Sequence, residues 1–116
     1  MITKGIRGAI TVESNNKEAL EKATNELLQA LITSNSITPE KISHVIFTTT
    51  KDLNAEFPAK FARLNFNWEK VAMMCFHELD VKDSLPLCLR VLIVLNCEEN
   101  FEPKFVYLKG ASDLRR

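Results

Sequence analysis

The stretch from Leu87 to Cys97 constrains this chain more than any other. Leu87, Leu89, Val91, Ile93, Leu95 and Cys97 occupy one side of an alternating pattern without interruption, which predicts a strand with that face in a core. The other side reads Cys88, Arg90, Leu92, Val94 and Asn96. It too is largely apolar, with an arginine at its centre. Both faces of this strand are therefore largely apolar and need cover.

The rest of the chain supplies the sheet and part of the cover. Residues 2–12 alternate as a strand, with Ile6, Ile10 and Val12 on one face and Arg7, Ala9 and Thr11 on the other. Residues 16–33 carry Leu20, Ala23, Leu27, Leu28 and Leu31 at three- and four-residue steps, an amphipathic helix for which Asn15 and Glu18 form a capping start. Thr38-Pro39-Glu40 opens a short helical turn, and Val45 to Thr50 is a β-branched and aromatic strand. Pro58 to Leu64 reads as a short helix, Val71 to Phe76 as a third strand, and 104–109 as a last strand with Phe105, Tyr107 and Lys109 on one face. The order β-α-β-α-β-β-β predicts an α/β or α+β fold: a mixed five-stranded sheet with helices on one side, in one domain over residues 1–116. Two substantial helices do not cover five strands. Part of the second face is therefore expected to meet another subunit.

Charge and cysteine usage narrow the function. Fifteen Lys and Arg balance fifteen Asp and Glu, which argues against a basic surface for nucleic acid or an anionic membrane. No apolar run reaches the ~18–20 residues of a membrane span. The opening Met1-Ile2-Thr3-Lys4-Gly5 lacks the pattern of a signal peptide, so a cytoplasmic location is expected. Cys75, Cys88 and Cys97 have no Cys-x-x-Cys spacing, and His44 and His77 form no ligand pair with them. Neither a disulfide framework nor a metal site is expected, and no glycine-rich phosphate loop is present.

Arginine on strands is what remains to be explained. A guanidinium does not shed its proton, so placing Arg7 and Arg90 among apolar neighbours calls for an anion or several acceptors. One such residue suits a salt bridge. Two, with Arg63 and the Arg115-Arg116 pair elsewhere in the chain, point to a small polyanionic ligand, and carboxylates match the two-pronged donor best. Tyr107 is the single tyrosine; its phenol either donates to such a carboxylate or rests at a sheet edge.

Five blocks carry a resemblance. Gly5-Ile6-Arg7-Gly8-Ala9-Ile10-Thr11-Val12, Phe57-Pro58-Ala59-Lys60-x-x-Arg63, Cys75-x-x-Glu78-Leu79-Asp80-Val81, Cys88-Leu89-Arg90-Val91 and Val106-Tyr107-Leu108 resemble, in order, the monofunctional AroH-type chorismate mutases. The resemblance implies a homotrimer shaped as a pseudo-α/β barrel, with active sites at subunit interfaces. It also implies isomerisation of chorismate to prephenate, in phenylalanine and tyrosine biosynthesis, without cofactor, metal or covalent intermediate. Carried over by position, Arg7 and Tyr107 would bind a substrate carboxylate, and Arg90 would reach the ether oxygen and a carboxylate. Glu78 and Cys75 would bond the ring hydroxyl. Phe57, Ala59, Lys60 and Arg63 would form a wall and entrance facing the neighbouring subunit, while Leu114 and Arg115 would belong to a tail folding over the pocket. Met73-Met74 stands where the family often has smaller or hydroxyl-bearing residues, and so reshapes the pocket wall.

Two other readings compete. A RidA-like imine deaminase is also a small trimer with interfacial arginines, and turnover of an imine would identify it. A non-catalytic trimeric module would bind prephenate tightly without converting chorismate.

Overall fold

The computed structural model describes residues 1–114. Its centre is a five-stranded mixed sheet made of β1 (Ile2–Thr11), β2 (Ile42–Thr49), β3 (Ala72–His77), β4 (Cys88–Cys97) and β5 (Val106–Leu108), in the order β3-β2-β4-β1-β5. The doubly apolar strand, β4, is the middle one. It runs antiparallel to β1 and β2, while β3 and β5 add parallel to the outer sides of β2 and β1.

One face of the sheet is covered by α1 (Lys17–Asn35) and α2 (Pro58–Phe66). Leu20, Leu27, Leu28 and Leu31 of α1 are fully buried against Ile6, Ile10, Leu89, Ile93 and Phe47. The leucine spacing thus forms the stripe it predicts. α1 ends where Ser36 turns left-handed, with φ 52°. Pro58 opens α2, and Asn67 closes it at φ 62°, dropping Trp68 into the core. Gly8 lies where α1 crosses β1: a Cβ there would meet the Leu31 Cδ1 at 2.7 Å and the Leu27 Cδ1 at 3.1 Å. Among the described residues no helix is long and apolar enough to cross a membrane.

Among the described residues no α-helix lies on the opposite face, where only the turn bearing Ala111 packs near the β5 edge. Arg7, Leu92, Val94 and Ile46 are half-buried there, and Met74 and Phe76 are exposed.

Several boundaries differ from the sequence expectation. Asn16, not Asn15, caps α1: its side chain accepts the Ala19 N–H at 2.8 Å. Asn15 is drawn away by the backbone N–H groups of Asn54 and Ala55, which it accepts at 3.0 and 3.1 Å. Leu87 does not belong to β4, because it takes a left-handed φ of 48°. β5 is shorter than 104–109; Lys109, at φ 53°, opens a 3-10 turn over Lys109–Ala111. The expected turn after Thr38 is a 3-10 turn, Pro39–Lys41.

Gly8→Ala is expected to cost about 1–3 kcal/mol by forcing α1 off the sheet. Gly5→Ala, whose Cβ meets only the movable Leu92 Cδ1 at 3.2 Å, is expected to change stability by less than about 0.5 kcal/mol. Urea midpoints of the two variants give the comparison.

Candidate active site

Pairing register builds the site across the uncovered face. Phe76, Thr48, Arg90, Ala9 and Tyr107 lie side by side in one lateral row, one residue from each strand. In the next row of that face Arg7 sits beside Leu92, and Leu92 beside Ile46. Arg7 and Arg90 are therefore diagonal neighbours, a separation that long side chains span.

Glu78 enters this row from the end of β3. Its backbone N–H donates to the Thr49 carbonyl at 2.7 Å, carrying the β2–β3 pairing one residue further. One carboxylate oxygen, Oε2, accepts the Thr48 hydroxyl at 2.7 Å and lies 3.4 Å from Arg90 Nε. The contact with Arg90 is an ion pair and not a hydrogen bond: Nε is buried and without a hydrogen-bond partner among the described residues. The Tyr107 hydroxyl is buried and unpartnered in the same sense. Two donors at one level of the sheet thus lack acceptors, an arrangement that native interiors rarely leave unmet.

Tyr107 is positioned by ties on both sides of its strand. Asn35, buried at the end of α1, accepts the Lys104 N–H at 2.8 Å and donates to its carbonyl at 2.9 Å. Beyond the strand, the Gly110 N–H donates to Thr11 Oγ1 at 2.9 Å. Ala9, Cys88 and Ala111 form a small buried cluster on this face, with Tyr107, Leu85 and Leu114 packed on it. Leu114, the tail residue the resemblance singles out, is thus placed near Tyr107; Arg115 lies outside the described residues. Burial pushes the Cys88 thiol above its ordinary pKa, partly opposed by the Arg90 guanidinium.

The remaining predicted residues gather at the β3 edge. Phe57, Ala59, Lys60 and Arg63 join Met73, Met74 and Cys75 around a cavity of about 280 Å³. Lys60 Nζ donates to Glu56 at 2.9 Å, and Lys17 lies 3.9 Å from the same oxygen. The Lys60 bond, above all, holds the Glu56 carboxyl below its usual pKa. Cys75 pairs with Phe47, a fully buried core residue, so its side chain lies on the helix-covered face. Burial raises its pKa, opposed by the Ala59 backbone N–H and the charge of Arg63.

A single chain therefore holds two groups and does not merge them. Arg7, Arg90, Glu78 and Tyr107 share the uncovered face with Leu114 nearby. Cys75, expected to share a ligand hydroxyl with Glu78, is on the other face.

Sequence reasoning missed Thr48 and Asp52. Thr48 was legible only as a β-branched strand residue, although its parity in the alternation is the available signal. Asp52 accepts the Leu87 N–H through both oxygens, at 3.0 and 3.2 Å, and also takes the Thr50 hydroxyl. Thr50 Oγ1 in turn accepts the Cys88 N–H at 3.0 Å. These bonds tie down the left-handed Leu87 at the end of the segment that joins Glu78 to Arg90. Burial alone would raise the Asp52 pKa, but the Thr50 and Leu87 donors outweigh it and hold it below 3.8.

Because the folded-state pKa is lowered, ionised Asp52 contributes stability above its unfolded value, and that contribution is lost as pH falls through the folded one. Asp52→Asn is expected to be less stable than the wild type at pH 7. The gap should narrow once pH drops below the ordinary value of 3.8. Urea midpoints of both proteins at pH 7 and near pH 3 measure it.

Fold and site together define an α+β protein whose uncovered sheet face carries fixed cationic and hydroxyl donors. Comparison with known proteins makes this specific. The family model for chorismate mutase type I matches residues 3–116. The chain is 35% identical to the chorismate mutase AroH of Bacillus subtilis (strain 168), over 99% of this chain and 91% of that one. It is 40% identical to the AroH of Thermus thermophilus, over 98% and 94%. A solved chorismate mutase from Clostridium thermocellum superposes with a TM-score of 0.88 at 41% identity, covering 93% of this chain and 96% of that one. The chain belongs to the type I chorismate mutase family.

Proposed function

We propose that this chain converts chorismate to prephenate at sites shared between the subunits of a homotrimer. Arg7, Glu78, Arg90 and Tyr107 of one subunit form one half of each site. Phe57, Ala59, Lys60, Arg63, Met73, Met74 and Cys75 of its neighbour form the other, and Leu114 and Arg115 fold over the mouth. The observation that carries this reading is the pair of unmet buried donors, Arg90 Nε and the Tyr107 hydroxyl, in one row of the uncovered face. Family membership gives the anion they await its chemical identity. The separation of Cys75 from Glu78 supports the shared site, because a ligand of this size cannot touch both faces of one sheet.

The reaction suits such a site. Chorismate rearranges by breaking its ether C–O bond while a C–C bond forms, in one cycle of electrons. No proton needs to move and no nucleophile needs to add. Two contributions fall to the protein. The first is to hold a flexible dianion in its compact reactive conformer, using cations on both halves of the site. The second is to set positive charge against the ether oxygen as that oxygen gains negative charge. Arg90 performs the second role, and a fixed charge there is worth about 3–4 kcal/mol, a few hundredfold in rate. Glu78 and Cys75 accept from and donate to the ring hydroxyl, which fixes the face of the ring presented to Arg90.

The direct test is loss of chorismate absorbance on addition of purified protein, with the oligomer measured by sedimentation velocity. Turnover by a trimer is expected; a folded trimer without turnover would remove the assignment.

Within that reaction, Arg90→Ala should lower kcat by about a few hundredfold without dissociating the trimer. Arg90→Lys should also be damaging, since a point charge on another stem does not reproduce the fork. Lys60→Ala and Arg63→Ala should raise KM more than they lower kcat. Steady-state kinetics with sedimentation separates these effects. Cys88→Ser, at a site 1% exposed, should lower the melting temperature more than the rate, and a large rate loss at unchanged stability would contradict its packing role.

A further inference from the structure

The distances around Glu78 show a competition. Its Oε2 lies 3.4 Å from Arg90 Nε, near enough to attract a guanidinium donor, yet Nε makes no hydrogen bond. The same oxygen accepts the Thr48 hydroxyl at 2.7 Å. Left to electrostatics, a carboxylate beside a guanidinium closes to a charge-assisted hydrogen bond of about 2.7–2.9 Å. Something opposes that closure here, and Thr48 is the group placed to do it. It lies on β2 directly across from Arg90 in the pairing register, half-buried and on the same face.

We infer that Thr48 is a positioning residue that holds the Glu78 carboxylate off Arg90 and so keeps the guanidinium available to substrate. The inference rests on the function proposed above. Its physical content is a division of acceptors. Oε2 is engaged by a neutral hydroxyl, which leaves the charge of the carboxylate in place but removes its most accessible lone pair from Arg90. Oε1 has no such bond to Thr48 and is the oxygen left for a ligand hydroxyl. Without the Thr48 donor, Glu78 would close onto Arg90. That closure would offset much of the positive charge intended for the developing negative charge of the transition state. The loss would fall on kcat, because the neutralised group acts in the transition state and not mainly in ground-state binding.

Thr48→Val keeps the β-branched shape and strand preference of the residue and removes only the hydroxyl. Thr48→Ser restores the hydroxyl on a smaller side chain. Two readouts are needed. One is the NMR signal of the Arg90 Nε–H in the ligand-free protein, which moves downfield when that proton gains a carboxylate acceptor. The other is steady-state turnover of chorismate. In Thr48→Val the Nε–H signal is expected to move downfield and kcat to fall about tenfold, with KM changed less than about twofold. Thr48→Ser is expected to return both towards the wild type. An unmoved Nε–H signal in Thr48→Val, or wild-type kcat in that variant, would overturn the inference. If the wild-type protein itself failed to turn over chorismate, the function reading would fail, and the Nε–H signal would still decide whether Thr48 holds Glu78 away.

Discussion

A guanidinium fixed on the middle strand of a sheet carries a charge that it cannot discharge by losing a proton. Arg90 is in that position, with β2 and β1 paired on either side of its strand. Holding an ion away from water costs several kcal/mol unless acceptors meet it closely. The protein supplies an acceptor, Glu78, but keeps it at ion-pair distance, with its near oxygen bonded to Thr48. The result is a cation partly desolvated and incompletely paired. Such a group is poorly placed if stability were its only task, and well placed to meet charge that arises on a ligand.

Much of this was open to inspection in the sequence. The alternation from Leu87 to Cys97 marks a strand and separates its core side from the side bearing Arg90, while its place in the middle of the sheet comes from the fold. The same parity placed Arg7 with Arg90, and the structure keeps them diagonal on one face. Register was not legible. Alternation assigns a residue to a face but does not say which residue of another strand stands beside it, so the alignment of Thr48, Arg90, Ala9 and Tyr107 had to come from the fold. Long-range partners were equally hidden. Asn15 and Asn16 are both suitable caps by type, and the choice was made by backbone N–H groups 39 and 40 residues away. The left-handed Leu87 violates the local preference of leucine, and it persists because Asp52 and its neighbours fix the backbone there.

The division of the site into two groups follows from strand parity. Arg7, Arg90 and Tyr107 lie on the uncovered face with Glu78 beside them, whereas Cys75 and Met73 lie on the helix-covered face. In the function proposed above, assembly of subunits would bring the two groups together. The paired methionines also acquire distinct meanings. Met73 faces the core side, while Met74 lies exposed on the uncovered face beside Ile46. The pair therefore touches two surfaces, the cavity beneath α2 and the uncovered face of the sheet.

In the mechanism proposed above, a permanent charge at residue 90, and not merely the hydrogen-bonding shape of its side chain, lowers the barrier. Replacing Arg90 with citrulline retains the planar outline and most of the donors while removing the charge. Single-turnover rates of chorismate conversion by the two proteins, both saturated with substrate, isolate that difference. A loss of about a hundredfold or more is predicted; equal rates would show that the charge is not what lowers the barrier.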